Sequence, residues 1–378
     1  MPDVAALFPD SYEASRSRFR AGLLQLRERW PDARLAQHAL SVDRELTIDW
    51  ILADATRAPE RLLIVTTGEH GAEGYVGAAM LTLFLQEHAA RLDPAVTGLR
   101  LVHALNPWGM QHRRRVNAAN VDLNRNFLPR PQTYAAQTNP GYDRLAAHLN
   151  PAGRVPARGL RDLAFAAALA RALTTVGPAT LQAATLLGQY RHPQGVYYGG
   201  DALQEEAEVM IGLLHSGLRD YRQVLHLDMH TGYGPRYRLS LVNSPHEPRR
   251  PNELAALFEY PRVLAADPQQ FYAIHGDMVD FAYTLARAEF PDRRLYATAF
   301  EFGTFGDTLP AALRSLRAMV WENQLHWHGA ATAEAQAAVA EEFRELFEPS
   351  EPGWRIKAVA DANEAFAGIL RAEGFTPS

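Results

Sequence analysis

Short runs of β-branched and aromatic residues recur along the chain, separated by longer stretches whose apolar positions fall three and four apart. Residues 45–54 (ELTIDWILAD), 61–68 (RLLIVTTG), 99–106 (LRLVHALN), 222–230 (RQVLHLDMH), 237–244 (YRLSLVNS) and 295–303 (LYATAFEFG) are of the first kind and predict strands. Residues 74–92, 161–173, 204–218 and 276–289 carry helical spacing and predict helices. Such alternation predicts an α/β fold with a mixed, mostly parallel central sheet flanked by helices on both faces. From Leu309 onward the pattern is helical, with a turn near EPSEPGW, so residues 309–378 form a helical C-terminal part. The Pro-, Asn- and Gly-rich stretch 128–161 predicts an extended excursion over the surface, of the kind that lines sites. No repeat, low-complexity tract or long linker divides the chain, and residues 1–378 are expected to form one domain.

Composition narrows the function classes. A chain of 378 residues, 47% hydrophobic and 21% charged, can bury a sizeable core. Its net charge of −5 gives no broad reason to expect nucleic acid or an anionic membrane as partner. No apolar run approaches the roughly 20 residues of a membrane span, and the N-terminal residues lack the basic start and apolar core of a signal peptide. With no cysteine, disulfides and thiolate chemistry are excluded, and a cytoplasmic protein is expected.

Candidate chemistry begins where the 61–68 strand ends, in TTGEHGAEG. His70 and Glu73 stand three apart among glycines, and an imidazole and a carboxylate so placed can be two ligands of one zinc ion. Ligands of an open α/β sheet bind outside the carboxyl ends of its strands. Two other strands also end in ligand or acid–base residues: His230 closes RQVLHLDMH and Glu301 lies within TAFEFG. A catalytic zinc takes three protein ligands and a water, so His70, Glu73 and His230 form a candidate set. His226, on the same face of its strand, is the rival to His230; the strand-end position favours His230. Arg113 and Arg114 read as a solvated charge cluster.

The segment NPWGMQHRRRVNAANVDLNRNF, residues 106–127, strongly resembles the zinc carboxypeptidases related to carboxypeptidase A, whose pattern is Asn-Pro-x-Gly, an arginine, then Val-Asp-Leu-Asn-Arg-Asn-Phe. HGAE, DMHTG and FEFG follow in that family's order over residues 61–305, while NPGY (139–142) and GQYRHPQGVYYGG (188–200) liken the chain to a poorly characterised branch. Asn120 stands where the family usually has glycine, and the interval between Arg125 and His230 is long, which makes 128–221 an expected insertion or lid.

The resemblance implies a zinc carboxypeptidase-like fold and one zinc per chain on His70, Glu73 and His230, with the bound water acidified to a pKa of about 7. It implies that Asp122 accepts the free ring N–H of His70. Asn124 and Arg125 would grip a substrate's terminal carboxylate, Arg115 the developing oxyanion, and Tyr283 the bound peptide. Glu301 would take a proton from water and pass it to the leaving nitrogen. The implied activity is a metallopeptidase cleaving an amide beside a free C-terminal carboxylate. A zinc amidohydrolase of small N-acyl amino acids, of the aspartoacylase or succinylglutamate desuccinylase type, is the alternative. A catalytically silent binding module on the same scaffold is the third reading.

Overall fold

The computed structural model describes residues 3–128, 134, 137–157, 159–265 and 275–377. Its frame is an eight-stranded sheet in the order β1-β2-β4-β3-β5-β8-β6-β7. The strands are β1 (Arg34–Ala39), β2 (Thr47–Ala53), β3 (Arg61–Thr67), β4 (Thr97–His103), β5 (Gln223–Thr231), β6 (Leu239–Asn243), β7 (Val263–Ala265) and β8 (Arg294–Phe302). The four central strands β4, β3, β5 and β8 run parallel, β1, β2 and β6 join antiparallel, and β7 runs parallel to β6. The mixed, mostly parallel sheet of the sequence reading is therefore present.

The central strands read as continuous apolar runs because both faces are covered. On β3, Leu63 and Val65 face one core, shared with helices Gly74–Glu87 and Pro352–Ala372. Leu62 and Ile64 face a second core, closed by helices Glu205–Asp220 and Met278–Glu289. The same period of two sorts β5 and β8. Leu225, Leu227 and Met229 go to the first face with Phe300 and Phe302, while Val224 and Ala297 go to the second. His226, Asp228, His230 and Glu301 share parity with Val224 and Ala297, and so point to the second face. Strand register then sets His230 directly opposite Glu301, and Thr66 of β3 opposite Asp228.

The helical C-terminal part is Leu309–His328, Ala333–Phe347 and Pro352–Ala372. Thr308 and Thr332 cap the first two, their side chains accepting from Ala311 and Ala335 N–H. Some elements escaped the pattern. β1 carries little apolar signal because it is a half-exposed edge strand. Within the stretch read as a surface excursion, Pro140–Leu149 is a helix, with Asn139 accepting from Tyr142 N–H and Pro140 in the first turn; residues 129–133, 135–136 and 158 of that stretch lie outside the described residues. Within the expected 128–221 insertion, helix Glu205–Asp220 lays Ala207, Met210, Leu214 and Leu218 into the second core.

Candidate metal centre

β3 delivers Glu69 and His70 to its carboxyl end, and a single 3-10 turn, Gly71–Glu73, brings Glu73 back beside them. All three side chains are buried. The turn is pinned from behind, Gly71 and Ala72 N–H donating to the carbonyls of Arg115 and Arg114 at 3.1 and 2.8 Å. A Cβ at position 71 would fall 2.1 Å from the carbonyl carbon of Gly109, so only glycine lets the loop lie against the NPWG turn.

Around Glu73 the two histidines converge. His70 Nδ1 lies 2.9 Å from Glu73 Oε1, and His230 Nδ1 lies 3.3 Å from Glu73 Oε2. Each ring is fixed at its other nitrogen: His70 Nε2 is 2.9 Å from Asp122 Oδ1, and His230 Nε2 is 2.5 Å from Asp228 Oδ2. A neutral ring donating from Nε2 carries a lone pair on Nδ1, and both lone pairs then face one carboxylate. That arrangement is repulsive unless a proton or a cation lies between, and His70 Nδ1 makes no hydrogen bond. The donor set, two imidazoles and a carboxylate with carboxylates behind both imidazoles, suits zinc.

Charge supports the same fit. Glu69, Glu73, Asp122 and Asp228 are fully buried carboxylates, and the guanidiniums buried among them are Arg115 and Arg125. Counted with all four acids ionised and both histidines neutral, as metal ligands must be, the group carries an excess of two negative charges, which one divalent cation would cancel; without a cation, Asp228 and Glu73 push His230 well above its ordinary value against burial. Burial alone would raise Glu73, but the two histidines hold it well below the usual carboxylate range. Asp122 is likewise held low against burial by Arg115 and Arg125. Glu69 goes the other way, raised well above its ordinary value by burial and by Asp228.

His226 does not join the cluster. Thr66 has one hydroxyl proton, donated to Asp228 Oδ1 at 2.5 Å, so His226 Nε2 at 3.0 Å donates to the Thr66 oxygen. Burial pushes His226 down to about 4, and it stays neutral as a prop beneath Asp228. Glu301 lies one strand over from His230, its Oε1 accepting Tyr233 N–H at 3.0 Å; burial, then the charge of Glu73, pushes it up to about 7. Arg115 is clamped by Nη1 to Glu73 at 3.1 Å and by Nε to Asp122 at 3.2 Å. Arg125 reaches Asp122 with Nη1 at 3.1 Å, its stem against Gly188 and its guanidinium over the Tyr197 ring. Asn124 Oδ1 accepts from Met278 N–H, tying the VDLNRNF segment to helix Met278–Glu289.

Two expectations need correction. Tyr283 is not brought to this group: its hydroxyl donates to Glu247 at 2.6 Å and accepts from Ala297 N–H, four residues before Glu301 on β8 and roughly 13 Å down the strand. The helix packs that face onto the sheet, so the ring is core. Arg114 is no solvated charge but buried, forked onto Glu322 at 2.7 and 3.3 Å. Sequence reasoning also missed Glu69, Asp228 and the hydrogen-bonded hydroxyls of Tyr197, buried, and Tyr233, half-buried, near Arg115 and Arg125. Asp228 had a signal, its parity with His230.

Among the described residues, the group whose ligand atoms all lie within 4.8 Å of one another is Glu69, His70 and His230. The sequence names Glu73 as the carboxylate partner and this convergence names Glu69; both flank the same histidine pair.

The chain belongs to the family described as "Protein of unknown function (DUF2817)", whose profile matches residues 8–361. No curated protein matches the sequence. Among solved structures it is similar to bovine thrombin-activatable fibrinolysis inhibitor in complex with tick carboxypeptidase inhibitor, at 14% identity over 88% of this chain and 98% of that one, with a TM-score of 0.45. It is similar to carboxypeptidase A from Helicoverpa armigera at 14% identity, over 94% of this chain and 74% of that one, with a TM-score of 0.44. Murein-tripeptide amidase MpaA from Escherichia coli O157 matches at 18% identity, over 78% and 92% of the two chains, with a TM-score of 0.36. Similarity of this degree assigns no reaction. Among the described residues, no helix is long and apolar enough to cross a membrane.

Proposed function

We propose that this chain is a zinc-dependent hydrolase that cleaves an amide bond beside a free carboxylate, in a peptide or an N-acyl amino acid. The observation that carries the reading is the pair of Nδ1 atoms turned on Glu73, with Asp122 and Asp228 fixing the far nitrogens and Glu301 set across from His230. His70, Glu73 and His230 would hold the metal. When bound, it would polarise the scissile carbonyl and lower the pKa of a water to about 7.

The remaining roles fall to the chain's own groups. Glu301, pushed up to about 7, can accept a proton at a carboxylate oxygen near neutral pH and return it to the leaving nitrogen. Tyr233 N–H holds its Oε1, which leaves Oε2 for proton transfer. Arg115 uses Nε and Nη1 to grip Asp122 and Glu73, and its Nη2 is the donor we assign to the developing oxyanion. Fixing the guanidinium beforehand removes the cost of ordering it during reaction. Asn124 and Arg125 are assigned to the substrate carboxylate, for which a planar fork is suited. Segment 188–200 forms the wall over them: Asn126 Nδ2 donates to Gly199 O, Asp122 N–H to Tyr198 O, and Tyr190 hydroxyl to Arg125 O.

The test is hydrolysis of a panel of peptides with free or amidated C-termini and of N-acyl amino acids, with Glu301→Gln as control. Turnover that needs the free carboxylate and is lost in Glu301→Gln with metal retained is expected. Turnover unaffected by Glu301→Gln overturns the assignment. Within the panel, cleavage of peptides alone or N-acyl amino acids alone separates the two substrate classes.

A further inference from the structure

Glu69 has no part in the roles above, yet it is the most anomalous side chain of the centre. It is 0% exposed, and neither carboxylate oxygen has a hydrogen-bond partner. A carboxylate cut off from water and given no N–H or O–H donor is costly as an anion unless a cation faces it. His230 Nε2 lies 3.4 Å from its Oε2. That nitrogen is already used, since its one proton goes to Asp228 Oδ2 at 2.5 Å. Other charges acting on Glu69 come from Asp228, Asp277 and Asp122, all acids.

The positive observation is geometric. Glu69, His70 and His230 offer ligand atoms that all lie within 4.8 Å of one another, close enough that side-chain adjustments of a few tenths of an ångström let one ion meet all three at the usual metal–ligand distances of about 2.0–2.6 Å. The same two histidines are those that turn Nδ1 on Glu73. We infer that Glu69 is a fourth protein ligand of the cation, so that this chain's centre is a two-histidine, two-glutamate site. The inference rests on the metal-site reading above and goes beyond it in ligand number and metal preference. A second carboxylate makes the site richer in oxygen and able to accept a fifth ligand, which favours cations such as Mn2+ and Co2+ relative to a three-ligand zinc site. With Glu69 added, the chain itself would supply four ligands, and a water would make a fifth.

The experiment measures Zn2+, Co2+ and Mn2+ affinity of the full chain by competition with a chelator, for wild type, Glu69→Gln and Glu69→Ala, together with the visible spectrum of the Co2+ form. Circular dichroism checks the fold, and the alanine variant serves if the amide is not tolerated. Expected are a loss of at least tenfold in affinity, larger for Mn2+ than for Zn2+, and a Co2+ spectrum that shifts toward the stronger absorption of four-coordination. A folded variant with unchanged affinity and an unchanged Co2+ spectrum overturns the inference while leaving the three-ligand reading intact. If wild type itself binds none of the three cations, both fall.

Discussion

Asp228 offers the sharpest handle on the metal site, because it reaches the assigned ligands through its bond to His230. Its Oδ2 accepts from His230 Nε2 at 2.5 Å and its Oδ1 from Thr66 at 2.5 Å, in a position with no solvent exposure. Asp228→Asn keeps the shape but removes the charge, and it allows an amide N–H to face Nε2. The ring would then move its proton to Nδ1, the nitrogen turned on Glu73. Carboxylates behind ligating histidines are worth about 10–100-fold in metal affinity, or about 1.4–2.7 kcal/mol. The short contact and full burial place Asp228 near the upper end, offset in part because losing its charge relieves Glu69. Chelator competition on folded wild type and variant reads the effect directly. Thermal unfolding in excess chelator separates it from any general loss of stability. An affinity change of less than about threefold, with the fold intact, would refute the tautomer argument, since the outer carboxylate would then be doing nothing for Nδ1.

Other predictions follow from the same geometry. Glu301 must be ionised to accept a proton and is pushed up to about 7, so kcat/KM should rise with pH through an apparent pKa at or below about 7, a bound cation favouring the carboxylate; a profile that is flat across this range contradicts the role. Glu206, buried against Asn117 Nδ2 at 3.2 Å, is pushed up from 4.5 to about 7 by burial. Because the folded state holds that proton more tightly than the unfolded chain, its stabilisation is complete below 4.5 and lost as pH rises through about 7. Glu206→Gln should therefore gain about 3 kcal/mol on wild type between acid and mildly alkaline pH, read from denaturant midpoints, whereas parallel curves would contradict it. Gly188 has φ +77° and a Cβ there would press 2.4 Å from Arg125 Cδ, so Gly188→Ala should raise KM for carboxylate-bearing substrates more than it lowers kcat. An unchanged KM would remove Arg125 from carboxylate binding.

How much of this was legible in the sequence depended on what each residue's signal encodes. β3, β5 and β8 were readable because strands buried on both faces leave uninterrupted apolar runs, and their carboxyl ends located His70, His230 and Glu301. The spacing of His70 and Glu73 was visible too, though the single 3-10 turn that brings them together was not. Side-chain direction in a loop leaves no periodic trace, so Glu69, adjacent to His70 in sequence, went unnoticed. For Tyr283 the pattern could place a helix but not its rotation about its axis, and the structure turns that ring onto the sheet at Ala297. Arg114 looked solvated because its partner Glu322 is 208 positions away. Long-range pairing of this kind has no local signature.

The central claim is a divalent cation held by His70, Glu73 and His230. Metal content of the purified full chain, measured by elemental analysis for wild type and for His70→Ala with the fold matched by circular dichroism, tests it most directly. About one zinc per chain in wild type, lost in the variant, is the predicted result. A wild-type protein that is metal-free and stays so after incubation with zinc would contradict the account and leave a binding module without metal chemistry in its place.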